Sequence, residues 1–223
     1  MLTMKVYVYQ DFGGRMTEGF KWPVFDKMGV KIGELARLTP ALLDALPDFI
    51  YSQISEERNI KQDVFFSSRL GGTVSTPEST REWLAKVAGD ESIRFFMLYA
   101  RGTNMPVAHY GIFNVDDITD TPQFGALLRF YPGGVKGFIH YCEIALLAFV
   151  FGYLKKNAMS LEIFIDNYNV IRMHERSGFF IDHVWQFRAP LASVEDVAMT
   201  MKITRERFYE VNPWANAMYK QPT

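Results

Sequence analysis

The chain has 223 residues, 48% of them hydrophobic and 22% charged, with a formal net charge of -1 at pH 7. This length allows one domain with a sizeable core, and the near-zero charge argues against nucleic acid or an anionic membrane surface as a partner. The single cysteine, Cys142, excludes an internal disulfide and is typical of a reducing cytoplasm. No apolar run reaches the about 18 residues of a membrane span. We therefore expect one cytoplasmic domain over residues 1–223, without a membrane partner and without a metal.

The first third of the chain predicts an extension and two capped helices. Residues 1–33 contain a strand-like "KVYVY" and a glycine-rich aromatic stretch, and we treat them as an N-terminal extension of open role. Thr39 is a typical N-cap with Pro40 at the first helical position, so a helix is expected from there. The pair Thr76-Pro77 predicts another helix, which ends near Gly89.

The middle of the chain predicts three strands, a loop and a buried helix. The runs "IRFFMLYA" and "VAHYGIFNV" indicate a hairpin, and "QFGALLRFY" follows as a third strand. After the loop "YPGGVKGF", the segment "FIHYCEIALLAFVFGYLKKN" is apolar on nearly every face, which is typical of a buried helix. Because this helix leads to a strand in "SLEIFID", that strand and "QFGALLRFY" should run parallel across a β-α-β crossover.

The last part begins with "DNYNVIRMHERSGFF", a short helix with Asn167 as its N-cap and Gly178 in a left-handed position after its end. The run "FFIDHVWQFRAP" predicts a strand, and "SVEDVAMTMKITRERFYEVN" is helical or mixed. The segment "ERFYEVNPWANAMYK" favours a surface element or a homodimer contact. Together the elements predict an α/β (α+β) fold with a mixed, mostly antiparallel central sheet flanked by helices.

The loop Tyr131–Phe138 could bind an anion. Its glycines allow backbone N–H groups to approach a ligand, the helix N-terminus carries partial positive charge, and Lys136 adds a full charge. The alternative is a plain turn that needs glycine for its geometry. The loop lacks the Gly-Lys-Ser/Thr triplet of a P-loop and the glycine spacing of a dinucleotide fingerprint.

The order strand, glycine loop, helix, strand and "NYNVIRMHERSGF" resembles the GNAT superfamily of acetyl-CoA-dependent N-acetyltransferases. The resemblance is good from residue 92 to residue 188 and weaker from residue 34 to residue 91. In the weaker part, "TPESTREWLAKV" after "RNIKQDVFF" is similar to the branch with ribosomal-protein and amino-sugar N-acetyltransferases. The family's later half carries an Asn, an aliphatic pair, an aromatic residue, Glu, a basic residue and Gly-Phe. The matching positions here are Asn167, Val170-Ile171, His174, Glu175, Arg176 and Gly178-Phe179.

The resemblance implies that the fourth and fifth strands of the family, here "QFGALLRFY" and "SLEIFID", splay apart and admit the pantetheine arm of acetyl-CoA between them. Its pyrophosphate would lie on the glycine loop, Asn167 would bond the arm, and a backbone N–H between Leu128 and Phe130 would hold the oxyanion. The implied donor-binding residues are Leu128, Phe130, Tyr131, Gly133, Gly134, Val135, Lys136, Gly137, Phe138 and Asn167. Ile139 departs from the small residue that usually ends the loop.

The implied proton donor to the leaving thiolate is His174, at a position where the family usually has tyrosine. The alternative for His174 is a solvated residue that balances the helix dipole. The base that deprotonates the amine stays open, because "QFGALLRFY" has no carboxylate. The candidates are His140, where the helix N-terminus would lower the pKa, then His109 and Glu143, or no base at all.

The resemblance thus implies an acyl-CoA-dependent N-acyltransferase that moves an acetyl group to a primary amine of a small molecule. A nucleotide-linked amino sugar is the favoured acceptor, with Trp22 or Phe20 as a stacking surface. The alternative is a non-catalytic acyl-CoA-binding or sensing domain with the same fold. A nucleophilic role for Cys142 is disfavoured, and the cluster Asp116, Asp117 and Asp120 is interpreted as a solvated turn rather than a calcium site.

Overall fold

A computed structural model describes residues 19–61, 74–116, 121–187 and 196–219 of the chain. Its strands are β1 (Lys21–Phe25), β2 (Lys31–Arg37), β3 (Arg94–Ala100), β4 (Ala108–Phe113), β5 (Gln123–Arg129), β6 (Ala158–Phe164), β7 (Phe180–Phe187) and β8 (Asp196–Thr204). They form one sheet in the order β1-β2-β3-β4-β5-β6-β8-β7. Only the β5–β6 pair is parallel among these neighbours. This confirms the predicted mixed, mostly antiparallel sheet.

The helices flank this sheet. They are α1 (Pro40–Ala45), α2 (Asp48–Lys61), α3 (Pro77–Gly89), α4 (Phe138–Ala148, continued by a π-helical turn at Phe149–Tyr153), α5 (Tyr168–Ser177), α6 (Arg205–Val211) and α7 (Pro213–Tyr219). The predicted caps Thr39 and Thr76 both accept a hydrogen bond from a backbone N–H of the first turn. Within the described ranges, no helix combines the length and apolarity needed to cross a bilayer.

The first predicted helix is divided into α1 and α2 at Pro47. Proline has no N–H to donate, so it cannot continue α1 in its interior. Its carbonyl instead accepts the N–H of Ile50, which lies in the first turn of α2. A proline inside a helical pattern thus marks a junction between two helices here.

Each face of the sheet has its own apolar core, because successive strand residues point to opposite sides. In β3, Phe96 and Leu98 belong to the core that contains α4, α6 and α7. Phe95 and Met97 belong to the core under α1, α2 and α3. Helix α4 is the predicted buried helix, and most of its residues are inaccessible to solvent.

The described part of the predicted extension is integrated into the sheet. Strand β1 and the start of β2 both lie before residue 33, so this boundary falls within a strand. Trp22 is 1% exposed, and its ring stacks on Tyr219 with centroids 5.9 Å apart. The hypothesis that an acceptor sugar stacks on Trp22 is therefore wrong, because the ring is enclosed by core aromatics. The ring of Phe20 stacks on Trp22 as well. The strand-like "KVYVY" lies outside the described residues.

The C-terminal part is mixed, a strand followed by two helices, which is one of the two outcomes expected from the sequence. The described part of this segment begins with β8, in which the alternate residues Met199, Met201 and Ile203 are buried in the core. Strand β8 lies between β6 and β7, so these two are not neighbours. The following helices bury Phe208 and Ala215 completely. This segment is part of the core rather than a surface element.

Strands β5 and β6 separate soon after they meet. Only two residue pairs join them, Gln123 with Ser160 and Phe124 with Leu161, although each strand is seven residues long. The remaining parts of both strands, which lead to their C-terminal ends, are not paired with each other. This confirms the predicted splay.

The substitution Trp22→Ala tests the place of β1 in the core. We expect a loss of about 3–5 kcal/mol in the free energy of unfolding, because a large buried ring is replaced by a cavity. Urea unfolding followed by circular dichroism measures it, with the exposed Met28→Ala as the matched control in the same segment. A loss no greater than that of the control would mean that β1 does not contribute to the core.

Candidate functional site

A cavity of about 640 Å³ opens where β5 and β6 part. Its lining comes from both strands, from β4, β7 and β8, and from α4 and α5 and the turn before α5. The residues are Tyr110, Phe124, Gly125, Ala126, Leu127, Arg129, Ile139, Leu161, Glu162, Ile163, Phe164, Asn167, Val170, Met173, His174, Trp185 and Ala198. Most are apolar, with a few polar groups, which is the composition typical of a small-molecule site.

A β-bulge shapes the β5 wall of this cavity. His109 pairs with Leu128 and Gly111 with Gly125, so two residues, Ala126 and Leu127, lie opposite the single residue between them on β4. Ala126 has a φ of 52°, in the left-handed region that favours glycine. The Nδ1 atom of His109 lies 2.7 Å from the carbonyl oxygen of Ala126 and holds the bulge from the opposite face.

The bulge reverses which β5 side chains face the cavity. Phe124 lies in the α4 core, and in a regular strand Leu128 would lie on the same side because the two are an even number apart. Leu128 and Phe130 instead pack in the core under α1, α2 and α3. One extra residue in a strand exchanges its two faces, so the cavity receives Ala126 and Leu127 in their place.

The backbone N–H expected to hold the oxyanion, between Leu128 and Phe130, lies beyond the bulge. The N–H groups of Phe130 and Tyr131 both donate to the carbonyl of Val107 at 3.1 Å, so they are already engaged. The bulge at Ala126 and Leu127 was not predicted from the sequence. Its available signal was the small pair Gly125-Ala126 inside an otherwise bulky strand, since glycine within a strand often marks a bulge.

The glycine loop folds tightly against its surroundings. Gly134 has a φ of 82°, and a Cβ there would lie 2.8 Å from the ring of Phe138. A Cβ at Gly133 would lie 2.8 Å from the side chain of Val107. Arg129 donates from Nη2 to the carbonyl oxygen of Gly133 at 2.9 Å, which ties the loop to the end of β5.

The loop leads directly into α4. Gly137 occupies the N-cap position of the helix without a side-chain cap, and Phe138 is buried beneath it. Val135 and Lys136 are exposed. The first-turn N–H groups and the charge of Lys136 are thus placed at one end of the helix, an arrangement that suits an anion.

Asn167 is at the N-cap position of α5, as predicted, but its side chain makes no capping hydrogen bond. The expectation that the side chain caps the helix is therefore wrong. The residue lines the cavity. An amide has both donors and an acceptor, so Asn167 can bond a polar ligand there.

His174 lines the cavity from α5 and is 4% exposed. Its Nδ1 atom lies 3.0 Å from Oε2 of Glu143 on α4, within ion-pair distance but not aligned for a hydrogen bond. The ring meets Phe179 edge-on, with centroids 5.4 Å apart. The alternative of a solvated residue on the helix surface is wrong, because the side chain is buried.

The two other histidine candidates lie outside the cavity lining. His140 is half-buried in the first turn of α4, with Nδ1 3.2 Å from Oγ of Ser177. Burial lowers the pKa of His140; the charge of Glu143 opposes this shift, and Arg176 and His174 add to it. His109 is buried among Trp83, Phe95 and Phe130 on the other face of the sheet.

The remaining candidates show no site chemistry. Cys142 is buried in α4, and burial raises the pKa of its thiol well above the ordinary value, which disfavours a thiolate nucleophile. In the described ranges, no group of three or more His, Cys, Asp and Glu residues is placed to hold a metal ion. Of the acidic turn, Asp117 and Asp120 lie outside those ranges.

A second cavity, of about 650 Å³, lies beside β2 and the turn after β3. Lys21 and Lys31, which line it, both contact Glu34, Lys21 at 2.5 Å and Lys31 at 3.3 Å. Its charged groups are therefore largely paired with one another. It shares no lining residue with the cavity between β5 and β6, which holds the convergent polar groups and is the candidate site.

Comparison with solved structures identifies the fold. A GCN5-related N-acetyltransferase from Brucella melitensis superimposes with a TM-score of 0.66 at 14% identity, over 89% of this chain and 89% of the other. The spermidine N-acetyltransferase from Vibrio cholerae, in complex with CoA and spermine, gives a TM-score of 0.58 at 17% identity, over 78% and 96%. The microcin C7 self-immunity acetyltransferase MccE, in complex with acetyl-CoA and AMP, gives 0.62 at 13%, over 78% and 92%.

These likenesses show that the chain has the GNAT fold. No protein-family model and no curated protein sequence matches it. The chain therefore shares its architecture with these acetyltransferases at sequence identities of 13–17%. Likeness at this level shows the fold and not a branch of the superfamily.

The lowered pKa of His140 predicts a pH dependence of stability. In the unfolded chain His140 has the ordinary histidine pKa of about 6.5, so on acidification it takes up a proton before the folded chain does. Protonation stabilises the unfolded state, and the free energy of unfolding therefore decreases as the pH falls through that value. This loss of unfolding free energy is absent well above about pH 6.5 and complete below the pKa of His140 in the folded protein. Urea unfolding at about pH 7 and pH 5 should therefore show a smaller drop for His140→Gln than for the unmodified protein. An equal drop in both proteins would contradict this assignment.

Proposed function

We propose that this protein is an acetyl-CoA-dependent N-acetyltransferase that acts on a primary amine of a small molecule. The single observation that supports this most strongly is the cavity between the splayed ends of β5 and β6, with the glycine loop and the start of α4 beside it. Spermidine N-acetyltransferase and MccE, which share the fold, were solved with CoA and acetyl-CoA respectively.

The cavity suits the donor in shape and chemistry. The parts of β5 and β6 that are not paired with each other can offer backbone groups to an extended arm, as in strand addition. Ile139, Leu161 and Val170 provide an apolar lining, and Asn167 provides an amide for the arm's polar groups. The loop from Gly133 to Phe138 would hold the pyrophosphate with backbone N–H groups and the charge of Lys136.

The reaction needs an oxyanion donor and a proton for the leaving group. We place the thioester carbonyl at the bulge of Ala126 and Leu127, because a bulge leaves backbone groups outside the regular ladder and these residues line the cavity. The amine attacks the carbonyl carbon, the carbon–sulfur bond breaks, and His174 gives a proton to the sulfur. His140 and His109 lie outside the cavity lining, so a water molecule or the solvent is the better acceptor for the amine's proton.

Two features of the cavity bear on the acceptor. Glu162 is an acidic residue in the lining and can attract an ammonium group, and Trp185 offers an aromatic surface. A nucleotide-linked amino sugar is the acceptor favoured by the sequence resemblance, and Trp185 can provide its stacking surface in place of the buried Trp22. Spermidine is the natural rival, since a spermidine N-acetyltransferase shares the fold.

The experiment measures thiol release from acetyl-CoA with a panel of amines that includes a nucleotide-linked amino sugar and spermidine. We expect turnover with at least one amine and a loss of about 10²–10⁴-fold in kcat for His174→Ala. Cys142→Ser is the matched control and should retain activity. Calorimetric binding of CoA without acetylation of any amine would favour the alternative of a non-catalytic acyl-CoA-binding domain.

Gly134 provides a separate test of the phosphate-binding loop. Gly134→Ala should weaken CoA binding by about tenfold or more, because its Cβ would collide with Phe138 and move the loop. Gly102→Ala is the matched control, since its φ of 81° carries the same backbone strain but a Cβ there meets nothing within 4 Å. Calorimetry gives both dissociation constants, and equal effects would count against the loop as the phosphate site.

A further inference from the structure

We infer that Glu143 is a positioning residue for His174, so that the two form a buried carboxylate–imidazole pair at the wall of the cavity. This inference rests on the proposed function, since it explains how His174 would deliver its proton. The pair joins two helices: Glu143 lies on α4 and His174 on α5.

The place of Glu143 in the fold requires an explanation. It is 0% exposed, and it lies in the most apolar helix of the described chain, between the buried residues Cys142 and Ile144. Neither of its carboxylate oxygens makes a hydrogen bond in the structure. A buried carboxylate contributes little to stability compared with an apolar residue of similar volume, so stability alone does not account for a glutamate here.

The geometry places the carboxylate beside the imidazole of His174. Oε2 of Glu143 lies 3.0 Å from Nδ1 of His174, and both side chains are almost fully enclosed. Because Nδ1 faces Glu143, Nε2 is the ring nitrogen left for the cavity that His174 lines. The edge contact with Phe179 restrains the ring in this orientation.

Other titratable groups surround the pair without replacing it. Tyr110 approaches from β4, and burial together with the charge of Glu143 raises the pKa of its hydroxyl well above the ordinary value. His140 lies one turn before Glu143 on α4 but faces Ser177, and Arg176 is exposed on α5. Among the described residues around His174, Glu143 is the carboxylate within ion-pair distance.

The proposed step is balanced within the pair and the leaving group. The carboxylate of Glu143 faces the Nδ1–H of the imidazolium at ion-pair distance and holds the ring by its charge, so Nε2–H points to the cavity. As the carbon–sulfur bond of the thioester breaks, the Nε2–H bond breaks and an S–H bond forms. His174 is left neutral with its proton on Nδ1, and a proton from the medium restores the imidazolium. A carboxylate behind a catalytic histidine controls the tautomer and the ring orientation in other enzymes by the same logic.

A double-mutant cycle tests this role. Glu143→Leu should lower kcat by about 10²-fold with little change in the KM for acetyl-CoA, because it removes orientation and charge stabilisation but no substrate contact. In the His174→Tyr background, the same substitution should lower kcat by less than about threefold, since a phenol has no Nδ1 to hold. Equal losses in both backgrounds would overturn the inference and indicate a structural role.

Two further variants keep the cycle interpretable. Glu143→Gln preserves the shape and an acceptor oxygen but lacks the charge, so its kcat should lie between those of the unmodified protein and Glu143→Leu. If Glu143→Leu does not fold, Glu143→Gln takes its place in the double-mutant cycle. Glu175→Gln removes an exposed carboxylate next to His174 on the same helix and should leave kcat unchanged.

A spectroscopic readout separates this inference from the proposed function. Nitrogen-15 NMR of the histidine side chains distinguishes the two tautomers without any substrate. We expect neutral His174 to carry its proton on Nδ1 in the unmodified protein and on Nε2 in Glu143→Leu. A neutral ring protonated on Nε2 in the unmodified protein would overturn the pairing. Absence of turnover with every amine, together with the expected spectra, would reject the proposed activity and leave the pairing in place.

Discussion

The separation of β5 from β6 after two residue pairs is the constraint on which the candidate site depends. Two neighbouring strands can part only if each is held by another strand, since unpaired backbone groups inside a protein are costly. Strand β6 pairs along its whole length with β8, and β5 pairs with β4. Each strand therefore keeps an outer partner, and the space between them can remain open.

The bulge on β5 lies just beyond the last pair with β6 and determines which residues form the wall. A bulge bends its strand and increases the local twist. It also exchanges the faces of the strand, so the bulky Leu128 and Phe130 enter the core under α1, α2 and α3. The cavity is then lined by Gly125 and Ala126, whose small side chains let a ligand approach the main chain.

Helix α4 connects the two parts of the site. Its first turn follows the glycine loop, and its second turn carries Glu143 behind His174. The rest of the helix is buried against the sheet and fixes both ends of this arrangement at once. A rigid buried helix can thus align an anion-binding end with a proton-donating group, which is useful for a donor that has phosphates at one end and a thioester at the other.

The sequence by itself determined the elements that depend on local patterns. The caps at Thr39 and Thr76, the strands β3 to β7, the buried helix α4 and the parallel crossover follow from side-chain periodicity and capping chemistry, which act over a few neighbouring residues. The resemblance to a family added the splay and drew attention to His174 and Asn167, both of which line the cavity.

Only the tertiary structure decided the features that depend on residues far apart in the chain. The insertion of β8 between β6 and β7, the burial of Trp22 against Tyr219 and the contact of Glu143 with His174 each join distant segments. The bulge on β5 is likewise a property of its pairing with β4 rather than of β5 alone. Local propensity cannot specify these contacts, because their free energy comes from packing that exists only once the sheet has formed.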